Sequence, residues 1–179
     1  MLPCAEDLGM IPQCSFRTLE DYSVPGMDVQ RWMRAWDTTQ DFKLPERYRK
    51  NSAAVISTHD MLPLCGWWEC EASSSEKEKF WKYLGLDGKF EGKCTRSFVL
   101  QALERVSQSA SIFSVQLFQD WLSLDETFRK NPFQSRINLP GTISDQNWRW
   151  TMPFSLEQLM KWPQNATIRE LNQKTGRVS

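Results

Sequence analysis

The sequence predicts an α/β fold built on a parallel sheet of about four strands, with helices between them. Three observations carry this. Short, nearly continuous apolar runs rich in β-branched residues recur along the chain, as expected of strands buried on both faces. Stretches with apolar residues at helical spacing separate those runs. Acidic residues follow two of the runs at once: Glu6-Asp7 after LPCA, and His59-Asp60 after AAVIST.

The first strand is a stub, Leu2 to Ala5. A second, DVQRWM (Asp28 to Met33), follows the turn signal Pro25-Gly26. AAVIST (Ala53 to Thr58) is the third and SIFSVQLF (Ser111 to Phe118) the fourth. The intervening helices run from Ile11 to Tyr22, from a cap at Ser75 to a stop at Gly85, and over Phe98 to Val106. Near the end, Ser155 and Gln158 form a capping-box pattern opening Leu156 to Trp162. Asn165 then caps Ala166 to Lys174, which Gly176 closes. About four strands is half the complement of an eight-stranded barrel.

Composition narrows the function. Twenty-two basic residues balance 22 acidic ones. Zero net charge argues against a phosphate-binding surface and so against nucleic acid as a partner. No apolar run is long enough to cross a bilayer and no basic-then-apolar leader opens the chain, so the expectation is no membrane contact and a cytoplasmic location. The cysteines, Cys4, Cys14, Cys65, Cys70 and Cys94, are odd in number and form no CxxC pair. With a single histidine, zinc is poorly supported, and five free thiols in a reducing compartment are expected. Nine tryptophans are an excess that core packing explains only in part; stacking on flat ligand faces such as sugar rings is the other use.

Carboxylates at the carboxyl ends of parallel strands are where barrel enzymes place their chemistry, because the loops there converge on one mouth. Paired carboxyls at such a mouth suit glycoside chemistry, where one acid protonates a leaving oxygen and others balance positive charge on the sugar. Each acid alone could equally cap a helix.

Four segments in order, AEDLGMIP (from Ala5), VPGMDVQRW (from Val24), NSAAVISTHDMLPLCGWWE (from Asn51) and INLPGTISDQNWRW (from Ile137), resemble the 4-α-glucanotransferases, or amylomaltases, of glycoside hydrolase family 77. The resemblance implies that residues 1–179 form one partial catalytic domain. It would be the carboxyl-terminal half, about strands five to eight, of a (β/α)8 TIM-type barrel, with the amino-terminal half missing and a possible partner. It implies retaining transfer of α-1,4-glucan segments between maltooligosaccharides, starch or glycogen, with neither metal nor organic cofactor. Glu6 would be the general acid/base, and Asp60 the carboxylate that stabilises the transition state. His59 and Asp7 would contact substrate, with Asn138, Pro140 and Gly141 shaping the rim. The family's aspartate nucleophile matches no segment here, so the chain alone is expected to be inactive.

Trp148 and Trp150 are expected to pack the barrel shell, and Trp67 and Trp68 the core. Met61, Leu62, Cys65 and Thr151 depart from the family pattern without touching a carboxylate. The rival readings are an α-amylase-like hydrolase, which would give only shorter chains, and a non-catalytic glucan-binding remnant.

Overall fold

A computed structural model describes residues 2–178. Helix α1 (Gln13–Asp21) leads into strand β1 (Gly26–Val29), and β2 (Ser52–Val55) follows a long irregular connection. Next come α2 (Leu64–Gly66), which widens into a π turn over Trp67–Glu71, then α3 (Ser74–Tyr83) and α4 (Arg96–Ser107). Strand β3 (Phe113–Ser114) precedes α5 (Phe118–Leu122), α6 (Glu126–Arg129), α7 (Leu156–Met160) and α8 (Gln164–Lys174). No described helix is long and apolar enough to cross a membrane.

The described sheet has three parallel strands in the order β1-β2-β3, with Gly26 opposite Ser52 and Ala53 opposite Phe113. The parallel α/β expectation holds, but the strand count is three rather than four. Leu2 to Ala5 forms no strand, because a single ladder-like bond, from Ala5 N–H to the Pro25 carbonyl at 2.7 Å, joins it to the sheet. The second and fourth runs are shorter than expected. Gln30 to Met33 turns away from the sheet after β1. The Gln116 side chain ends β3 early: its Oε1 accepts from Ile56 N–H at 2.8 Å and its Nε2 donates to the Ala54 carbonyl at 3.2 Å. Both groups belong to β2 or its exit, so a side chain takes the place of further ladder bonds.

The β1–β2 connection departs from helix–strand alternation, holding one short 3-10 turn (Pro45–Arg47) and an antiparallel bridge between Arg34 and Phe42. The β2–β3 connection carries α2 to α4, which cover the sheet. Their apolar stripes meet Ala54 and Ile56 in a core dominated by aromatics. Trp68 is fully buried, 4.4 Å from the Phe98 ring, with its Nε1 donating to the Glu91 carbonyl. Trp67 is buried beside it, so both are core residues as expected.

The α3 cap is Ser73, not Ser75: Ser73 and Glu76 bond reciprocally in a capping box. The box at Ser155 and Gln158 forms as expected. Asn165 does not cap α8, which begins at Gln164. Its amide donates instead to the Leu159 carbonyl, tying α7 to α8. The cysteine expectation also fails in part. Cys65 and Cys94 are joined in a disulfide that pins α2 to the entrance of α4, while Cys4, Cys14 and Cys70 are exposed free thiols. Spacing 29 residues apart carries no sign of this pairing; only the fold brings the two together.

Candidate active site

The turn leaving β2 carries His59 and Asp60 and is held from beneath by buried polar groups. Arg31, just past β1, sends its Nη2 to Ser57 Oγ at 3.1 Å and to the Leu62 carbonyl at 2.8 Å, bracketing the turn. Asp120 on α5 accepts from Leu64 N–H at 2.8 Å and from Ser57 Oγ at 3.4 Å. Burial pushes the Asp120 carboxyl up to about 6 and draws the Arg31 guanidinium down to about 10. Each shift is opposite to what a direct ion pair produces, so desolvation outweighs their mutual attraction. The two charges meet through Ser57 rather than face to face.

Above this base the rim is a connected cluster. Asn138 Nδ2 donates to Asp60 Oδ1 at 2.6 Å, and His59 Nε2 lies 3.3 Å from the same oxygen. Asn138 N–H donates to the His59 carbonyl, and Arg136 Nη2 to that of Asp60. Asp60 therefore has one oxygen fixed and remains part exposed. It lines a cleft of about 280 Å³ with Trp32, Trp36, Glu71 and Arg136. A larger cleft of about 610 Å³, lined by Asn138, Asn147, Arg149 and Trp150, opens beside Arg136.

The structure thus brings together Asp60, His59 and Asn138, three of the residues expected from sequence. Pro140 and Gly141 form the turn that follows. Gly141 has φ +73°, a conformation that favours glycine, and Thr142 Oγ1 donates to the Leu139 carbonyl across the turn. Trp148 does not pack into a shell. It is 64% exposed, and its ring lies 5.0 Å from that of His59. Trp150 is half-buried and lines the larger cleft.

Glu6 and Asp7 lie on the segment before α1. The Asp7 side chain is nearly fully buried, with Oδ1 accepting from Met27 N–H at 2.7 Å and both oxygens bonded to Arg49. Asp28 takes Arg49 from the other side, at 2.7 Å. Asp7 is therefore an anchor, with no oxygen free for a substrate. Glu6 is exposed, on the segment that Ala5 N–H ties to the Pro25 carbonyl before β1, whereas Asp60 follows the exit of β2. The Asp7–Arg49–Asp28 cluster fastens the segment that carries Glu6 to the sheet beside β1.

Sequence reasoning missed Arg31 and Asp120. The signals were present: an arginine directly inside an apolar strand run, and an aspartate inside the apolar start of α5. A charge in such a run needs a buried partner.

Comparison with known proteins agrees with the motif resemblance. A family model described as glycoside hydrolase 77, 4-alpha-glucanotransferase, matches residues 1–157. The 4-alpha-glucanotransferase of Chlamydia pneumoniae is 38% identical over 160 residues, 89% of this chain and 30% of that protein. The enzyme of Clostridium butyricum is 31% identical over 146 residues, 82% of this chain and 27% of its own length. The chain thus spans about a third or less of the relatives it matches. In fold it is similar to the amylomaltase from Streptococcus agalactiae solved in complex with acarbose, with a TM-score of 0.76 at 24% identity, over 98% of this chain and 32% of that one. The motifs, the parallel α/β sheet and the family match agree, and the chain belongs to the glycoside hydrolase 77 family of 4-alpha-glucanotransferases.

Proposed function

We propose that this chain carries the Asp60 side of a retaining α-1,4-glucan transfer site and that it corresponds to strands five to eight of a (β/α)8 barrel. The observation that supports this most directly is the Asp60–His59–Asn138 cluster, with one carboxylate oxygen fixed and the residue part exposed at a cleft. A carboxylate so oriented can accept hydrogen bonds from sugar hydroxyls and balance charge as the hexose turns cationic. His59 contacts the same sugar, and Asn138, Pro140 and Gly141 set the rim.

Glu6 is the general acid/base on the strength of the AEDLG motif. It gives a proton to the departing glycosidic oxygen, then takes one from the acceptor hydroxyl. For that work it has to stand near the scissile bond. The substrates are maltooligosaccharides or longer α-1,4-glucans, and the natural partner surface is the remainder of such a barrel. The β3 edge suits that pairing, because Ile112, Phe113 and Val115 are exposed along it. The match to only 30% of the Chlamydia pneumoniae enzyme's length also favours a second reading of the chain by itself, glucan binding without turnover.

Titration calorimetry of the chain with acarbose tests the proposal. Binding that Asp60→Asn weakens by about tenfold or more, with Glu6→Gln close to wild type, is the expected result. Undetectable binding, or indifference to Asp60→Asn, would remove the basis for the assignment.

A further inference from the structure

Trp148 combines three features that core packing does not account for. It is the largest kind of apolar side chain, yet 64% of it is exposed. Its backbone has φ +62°, a left-handed conformation that a bulky residue adopts only under strain. And its ring is set against a polar partner, His59, at 5.0 Å and a 42° tilt, rather than against an apolar wall.

The strain is imposed by the preceding loop. Asn147 accepts from Leu139 N–H at 3.1 Å and donates to the Thr142 carbonyl and to Thr142 Oγ1, closing residues 139–147 on themselves. Trp148 N–H then donates to the Ile137 carbonyl at 2.8 Å. The next residue, Asn138, grips Asp60. One loop therefore delivers an indole and a carboxylate-holding amide to the same place.

We propose that Trp148 is the stacking platform for a hexose whose hydroxyls are held by Asp60, an inference that rests on the glucan reading of this rim. A pyranose ring has a polar edge of hydroxyls and an apolar face of C–H groups. Asp60 Oδ2, without a hydrogen-bond partner among the described residues, serves the edge. The exposed indole serves the face, and His59 backs the indole from the side. Flat aromatic surfaces of low conformational entropy suit this contact, and the strained backbone fixes the platform before the sugar arrives.

The test uses the full chain with ¹⁵N-labelled indoles and acarbose as the probe, the Trp148 resonance being assigned by its loss in Trp148→Phe. Its Nε1 signal should move along the same saturation curve as the calorimetric binding. Trp148→Ala should weaken acarbose binding about tenfold, and Trp148→Phe, which keeps a smaller ring, should recover most of that loss. Trp148→Gly relieves the left-handed strain, so it should bind as weakly as the alanine variant while unfolding at no lower denaturant concentration than wild type. A purely structural tryptophan would lose stability instead. If acarbose binds in an Asp60-dependent manner but all three variants match wild type, the platform is refuted and the Asp60 reading stands. If wild type does not bind acarbose, both fall together.

Discussion

Asp120 is a residue whose charged state the fold disfavours. Its carboxyl is pushed up to about 6 by burial, against an ordinary value near 4. Because the folded value is the higher one, the group's contribution to stability is fully present below about pH 4 and is lost as pH rises through about 6. The Asp120→Asn variant has no such dependence. Denaturant unfolding at pH 4.5 and 7.5 should therefore show wild type gaining on the variant at the lower pH, by about 2 kcal/mol. Equal differences at the two pH values would show that Asp120 is not desolvated in this way. Gly26 makes a second residue-scale case. A Cβ there would lie 2.5 Å from Asp7 Oδ2 and 2.7 Å from Arg49 Nη1. Gly26→Ala should cost about 1–3 kcal/mol by forcing the ion cluster apart, read from the denaturation midpoint. The cluster of His59, Asp60 and Asn138 was legible in the sequence because its parts, His59-Asp60 and the loop with Asn138, occur as short strings. Asp7 was misread because the string AEDLG does not show which of its two acids meets Arg49, forty-two residues away.

At the scale of elements, helices were more legible than strands. The α4 stripe and the Ser155–Gln158 capping box are written in local spacing, whereas three consecutive serines hid which one caps α3. Strand ends were not, because partners decide them: β3 stops at Ser114 where Gln116 takes over the bonds of β2, although the apolar run continues to Phe118. The Cys65–Cys94 disulfide was equally out of reach, being set by how α2 and α4 pack. Closing a loop of about thirty residues, it should contribute about 3 kcal/mol. Thiol titration should find three reactive cysteines before reduction and five after reduction and unfolding. Unfolding in a phosphine reductant should shift to lower denaturant by a matching amount; an unchanged midpoint would show that the bridge adds nothing.

For the whole molecule the decisive quantity is the spacing of acids. Retaining transfer needs acid and nucleophile about 5 Å apart. No segment of this sequence matches the family's nucleophile motif, so the acid/base proposed at Glu6 has no such partner in these 179 residues. The 179-residue polypeptide incubated with maltotriose should give neither glucose nor longer oligosaccharides. Sustained release of glucose would contradict this. The chain shares an amylomaltase-like architecture over 98% of its own length but only 32% of the other.

The Asp7–Arg49–Asp28 cluster has a genetic corollary. One guanidinium serves two sequestered carboxylates and also the Met27 carbonyl, so no single exchange at any of the three positions preserves the arrangement. Lysine at 49 would lack the planar fork, and loss of either aspartate would strand the arginine. Natural variation among relatives that share this feature should therefore treat positions 7, 28 and 49 as a trio, inherited or replaced as one.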